Sequence, residues 1–202
     1  MYLIDGGPPS DAGGWLAGVR RCASPHHDDR PPEVAVELLV LHNISLPPGQ
    51  YGNGRIAQLF LGQLPAGVDP FLDTVRDLRV SAHLVIARDG TAVQFVGLRQ
   101  RAWHAGVSWF EGRPRCNDFS IGIELEGTDV DPYTDAQYAA LAALAPRLRA
   151  ALPLRAVRGH CHIAPVRKTD PGPAFDWLRF GRDGGWAHRM LPPGTPADLP
   201  AG

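Results

Sequence analysis

The chain has 202 residues, 44% of them hydrophobic, with 20 lysines and arginines against 21 aspartates and glutamates and a formal net charge of -1. That length fills one core and is short for two, and a charge near zero excludes the polybasic surface that nucleic acid or an anionic membrane requires. No apolar run approaches the roughly 20 residues of a bilayer span.

The N-terminus lacks a basic region followed by an apolar core, and Cys22, Cys116 and Cys161 are odd in number and few for the length, which suits a reducing compartment. A cytoplasmic protein acting on a small molecule is expected, with no membrane, nucleic-acid or obligate protein partner. Residues 1–33 are rich in Gly, Pro, Asp and Arg without a period, and read as an irregular segment packed on the domain. His26 and His27, beside Asp28 and Asp29, read as a solvated loop.

Residues 34–41 form a near-continuous apolar run, the pattern of a strand buried on both faces. His42 closes it, where sheet proteins often place their chemistry. The turn-rich stretch 45–54 should border a site, and Ile56, Leu59 and Phe60 follow at helical spacing. Asp69-Pro70 starts a second helix, with Phe71, Leu72, Val75 and Leu78 at core-facing intervals. Residues 83–88 and 91–96, joined by Asp89-Gly90, read as an antiparallel hairpin. His83 at its start reads as a support rather than a ligand.

Trp103, His104 and Trp109 share a glycine-containing loop, where indoles either stack on sugar faces or fill core. In residues 120–126 a period of two sets Ile121, Ile123 and Leu125 against Gly122, Glu124 and Glu126. An acidic strand face is usually solvated, but beside a metal it can take a proton from water. Thr134 and Gln137 form a capping box for a helix carrying Tyr138, Leu141, Leu144 and Leu148, which Pro146 should kink or shorten. A last strand over 154–157 leads into residues 159–172, where Pro165, Pro171 and Pro173 shape a loop bearing His160, Lys168 and Asp170. Residues 34–180 then make the domain, and 181–202 an extension.

His42, His160 and Asp170 would leave a zinc ion positively charged with one position open, lowering the pKa of water there toward roughly 7. Glu124 would accept the proton, and Lys168 would stabilise the oxyanion.

The segments Val40-Leu-His-Asn-Ile-Ser-Leu-Pro-Pro-Gly49, Ser81-Ala-His83, Arg101-Ala-Trp-His-Ala-Gly-Val-Ser108, Arg115-Cys-Asn-Asp-Phe-Ser-Ile-Gly-Ile-Glu-Leu-Glu-Gly-Thr128 and Gly159-His-Cys-His-Ile-Ala-Pro-Val-Arg-Lys-Thr-Asp-Pro-Gly-Pro173 resemble the zinc N-acetylmuramoyl-L-alanine amidases, and among them the cytosolic type acting on 1,6-anhydro-N-acetylmuramyl-L-alanine. The resemblance implies an α/β (α+β) single domain of the amidase and peptidoglycan-recognition kind, with helices on a central mixed sheet. It implies one zinc per chain and cleavage of the amide between the lactyl group of anhydromuramic acid and L-alanine of muropeptides. It supports the three ligands and the roles of Glu124 and Lys168. It also implies Arg79 and Arg115 on the stem-peptide carboxylates, and Asn43, Trp103 and Ala164 as lining. A binder of the same fold that does not cut is the rival from another class; such binders typically lose a metal ligand, and all three candidates are present here. A periplasmic amidase acting on intact wall is the rival among enzymes.

Overall fold

The structure is a computed structural model that describes residues 10–197. The first nine and last five residues of the two terminal segments, including the N-terminus read above for a targeting signal, lie outside it. The strands are β1 (Arg20–Arg21), β2 (His27–Asp28), β3 (Leu38–Ile44), β4 (Leu84–Ile86), β5 (Ala92–Gln94), β6 (Arg101–Ala102), β7 (Trp109–Phe110), β8 (Arg113–Pro114), β9 (Ser120–Glu126) and β10 (Ala156–Gly159). The helices are α1 (Arg55–Phe60), α2 (Pro70–Val75), α3 (Asp135–Ala151), α4 (His160–Ile163) and α5 (Trp177–Gly184), with short 3-10 turns at Cys116–Phe119 and His188–Met190.

Six strands form one sheet in the order β1-β5-β4-β9-β3-β10. Only β4 and β5 run antiparallel; the other neighbours are parallel. The centre is the β3–β9 pair, seven residues in register from Leu38↔Ser120 to Ile44↔Glu126. Both strands are covered on both faces, which is why β3 reads as unbroken aliphatic sequence. Its span differs from the expected 34–41: pairing begins at Leu38 and runs past His42, so the histidine lies within the strand.

Alternation divides the sheet into two faces. Leu39 and Leu41 of β3 and Ile121, Ile123 and Leu125 of β9 pack with Tyr138, Leu141, Leu144 and Leu148 of α3 and with Phe180 of α5. Full burial of each such side chain is worth about 1.5–3 kcal/mol. The other face carries Leu38, Val40 and His42 from β3 and Ser120, Gly122, Glu124 and Glu126 from β9, and here the site is built.

The Thr134 hydroxyl accepts the Gln137 amide at 3.1 Å while Gln137 returns a bond to the Thr134 amide, the expected capping box. Pro146 does not end α3, which continues to Ala151. It sits on the exposed side, where water can serve the carbonyl it leaves unpaired. Asp69 caps α2 as expected, but the helix stops at Val75 and only Leu72 is fully buried; Phe71 and Leu78 are exposed. The hairpin strands are shorter than expected and joined by five residues rather than two, because Thr91 bonds both Asp89 and Ala87 inside the turn.

The N-terminal segment is not wholly irregular. β1 extends the sheet and β2 pairs with β6. At the other end, the expected boundary at residue 180 falls inside α5, and Trp186 and Leu191 beyond it are buried in the main core.

Candidate metal centre and catalytic cleft

A cleft of about 680 Å³ opens on the site face, lined by His42, Asn43, Trp103, His104, Glu124, His160, Arg167, Lys168 and Asp170 among others. The parallel register places His42 beside Glu124, and because both belong to the face opposite the helix layer, both side chains enter the cleft. β10 pairs with β3 on its other side and ends at Gly159, so the next residue, His160, arrives next to His42. Residues 160–163 form a short helix rather than the expected loop, a turn that four residues of sequence do not announce. The return to Asp170 is pinned at both ends: the Ala164 carbonyl accepts the amides of Arg167 and Lys168, and the Cys161 amide donates to the Asp170 carbonyl at 2.9 Å.

His42 Nδ1, His160 Nδ1 and Asp170 Oδ2 form a triangle with sides of 3.1, 3.0 and 3.2 Å. Corners of a tetrahedral site with bonds of roughly 2.0–2.1 Å lie about 3.3 Å apart. His160 Nε2–H donates to the Ala105 carbonyl at 3.0 Å, so its Nδ1 turns a lone pair toward the carboxylate. Lone pairs converging at this spacing fit a cation, and these three residues could hold one.

Burial opposes ionisation of Asp170, but the His160 and His42 imidazoles beside it outweigh burial and hold the carboxyl below the usual carboxylate range. Desolvation lowers His42 to about 4, leaving it neutral and able to ligate. Burial, reinforced by the Asp170 charge and opposed by Lys168, pushes Glu124 well above its ordinary value. Its Oε2 is buried without a protein hydrogen-bond partner, and the residue lines the cleft. Glu126 is buried too, not solvated, yet both its oxygens are engaged by the Gly52 and Arg88 amides. The two glutamates of one strand face therefore differ in what they can do.

Asn43 and Trp103 line the cleft, Asn43 donating to Asp129 at 2.8 Å. The Trp103 indole N–H donates to Asp28 and its ring stacks over His26, whereas Trp109 is exposed. Ala164 is buried at the end of α4 and serves the turn rather than the cleft surface. Arg79 and Arg115 are exposed and outside the lining; the Arg115 guanidinium rests on Asp118 at 3.2 Å. His83 takes no part in the triangle: its Nδ1 accepts the Gly122 amide and its Nε2 meets the Gln100 carbonyl. His162 faces away, accepting the Gly159 amide.

Sequence reasoning missed Arg167, which donates to the carbonyls of Ala105 and Val107 at the cleft wall. It also gave no role to His104, whose ring covers Gly122. The available signal was the glycine itself, since a glycine inside a strand marks close approach by another group.

Comparison with known proteins matches residues 32–173 to the N-acetylmuramoyl-L-alanine amidase family. A 1,6-anhydro-N-acetylmuramyl-L-alanine amidase, AmpD, of Escherichia coli (strain K12) is 58% identical over 169 residues, covering 83% of this chain and 92% of that protein. A crystal structure of a selenomethionine AmpD derivative superposes with a TM-score of 0.83 at 53% identity, over 90% of this chain and 99% of that one. The amidase AmiD of E. coli, in complex with the substrate anhydro-N-acetylmuramic acid-L-Ala-D-gamma-Glu-L-Lys, gives 0.55 at 29% identity over 77% of this chain and 60% of its own. With a family match over more than half its length and a relative this similar across most of both chains, the protein belongs to the N-acetylmuramoyl-L-alanine amidase family.

Proposed function

We propose that the protein hydrolyses the amide between the lactyl group of 1,6-anhydro-N-acetylmuramic acid and L-alanine, using one zinc ion held by His42, His160 and Asp170, in recycling of cell-wall muropeptides. The observation that carries this reading is the pairing of His42 with Glu124 across parallel strands, which sets a carboxylate in the same cleft as three converging candidate ligand atoms. The relatives named above act, by their names, on that linkage.

Zinc held there would supply Lewis-acid chemistry at the amide carbonyl and make water more acidic. Glu124 takes the proton of the attacking water, a task suited to a carboxyl whose burial favours the protonated form, and passes it to the departing alanine nitrogen. Lys168, lining the same cleft, balances the negative charge that grows on the carbonyl oxygen. Asn43 and Trp103 border the sugar and peptide, while Arg79 and Arg115 reach the stem-peptide carboxylates from outside the lining. Lys168→Met should therefore lower kcat by about 100-fold or more with little change in KM, as expected of an interaction made mainly in the transition state. A loss confined to KM in steady-state kinetics would assign the lysine to substrate holding instead.

Among the described residues no helix is long and apolar enough to cross a membrane, and a cytoplasmic enzyme meets its substrate as soluble fragments. Specificity constants for an anhydromuramyl tripeptide, its amidated analogue, the non-anhydro sugar and intact wall test the reading. The free anhydro tripeptide should lead, and Arg79→Ala should erase the penalty for amidation. Equal cleavage of intact wall, or an arginine variant indifferent to amidation, would remove the recycling assignment while leaving the amidase chemistry.

A further inference from the structure

We infer that His104 is a positioning residue, the outer partner that fixes which nitrogen of His42 faces the metal. The inference rests on the zinc reading above. His104 Nδ1 lies 2.9 Å from His42 Nε2, and His104 Nε2 lies 3.3 Å from Ser120 Oγ. If His42 gives its Nδ1 lone pair to zinc, its proton is on Nε2 and His104 Nδ1 must accept it. A neutral His104 then carries its own proton on Nε2 and donates to Ser120. The chain of three side chains thus has one direction, set by the metal end.

The next residue does the same for the other imidazole, because the Ala105 carbonyl accepts from His160 Nε2. One two-residue segment orients both histidine ligands, and it is itself clamped: Asn117 Oδ1 accepts the amides of His104 and Ala105 at 3.2 and 2.8 Å. Gly122 keeps the space open, since a Cβ there would lie 2.6 Å from His104 Cγ. Outer partners of this kind typically hold 10–100-fold of metal affinity.

The zinc-loaded protein tests this by chelator competition, with activity set aside. His104→Leu keeps bulk but offers no acceptor and should raise the zinc Kd by about 10–100-fold, while His104→Asn, whose Oδ1 falls near the position of Nδ1, should recover most of it. Ser120→Ala, which removes only the last link, should weaken zinc several-fold and decides the matter if His104→Leu does not fold. Nitrogen-15 NMR of the loaded wild type should find His42 protonated at Nε2 and His104 at Nε2. A leucine variant as tight as wild type, an asparagine variant no better than leucine, a Ser120→Ala Kd unchanged when the leucine variant cannot be folded, or a His104 proton on Nδ1 overturns the inference. A wild type that binds no zinc fails the zinc reading instead.

Discussion

His160→Ala and Asp170→Ala should each leave a protein that loses zinc on dialysis and cleaves no muropeptide amide. The three ligand atoms already lie 3.0–3.2 Å apart, so little reorganisation is needed to bind and most of the affinity is carried by the ligands themselves. Sharing the roughly 10–16 kcal/mol of a four-ligand zinc site equally gives about 2.5–4 kcal/mol per ligand, or roughly 70–900-fold in Kd for each one removed. Asp170 adds the only negative charge of the triangle, so its loss should be the more damaging of the two. His83→Ala and His162→Ala are the controls, since both rings are engaged by backbone groups away from the triangle. Elemental analysis after dialysis decides: full zinc in His160→Ala, or none in His83→Ala, would refute the ligand assignment.

Glu124→Gln should keep zinc and lose nearly all turnover, on the order of 10²–10⁴-fold in kcat, the range of general acid–base catalysis. Glutamine has the size of glutamate but cannot take the proton from water. Glu126→Gln should act on stability, through the Gly52 and Arg88 amides, more than on rate. The same substitution has a stability signature in the metal-free protein. Glu124 binds its proton more tightly folded than unfolded, so below its unfolded pKa of about 4.3 it contributes nothing to the pH dependence. As pH rises above that value toward the folded pKa, the folded state is penalised by up to about 1.4 kcal/mol per pH unit. Glutamine removes the penalty. Metal-free Glu124→Gln should match wild type in Tm near pH 4 and exceed it near pH 7. A Tm advantage that is constant with pH would mean that burial does not disfavour the Glu124 charge.

The candidate ligands and the candidate base were legible because their residue types are few and their settings simple. His42 follows an aliphatic run, Glu124 obeys a period of two, and His160, Lys168 and Asp170 share one proline-bounded stretch. Their convergence was not legible, since nothing in an aliphatic sequence says that Leu38 pairs with Ser120 rather than a neighbour. That register alone puts His42 beside Glu124. Short pieces escaped for a related reason: the two residues of β1 and the four of α4 are too brief to show a period. Phe71 and Leu78 followed helical spacing yet stayed exposed, because α2 has a single turn against the core and ends before its second.

Arg30 shows where the working unit of this protein begins. Its guanidinium is largely buried and donates to the carbonyls of Leu98, Asn117, Asp118 and Ser120. Asp28, two residues earlier, holds both Arg101 and the Trp103 indole. The stretch matched to the family starts at residue 32. A chain trimmed to that boundary would expose four carbonyls to a vacated pocket and release a wall of the cleft, each lost partner of a buried polar group costing about 1–3 kcal/mol. The stretch matched by the family model therefore stops short of residues the cleft rests on, and the difference lies in a segment whose composition shows no period.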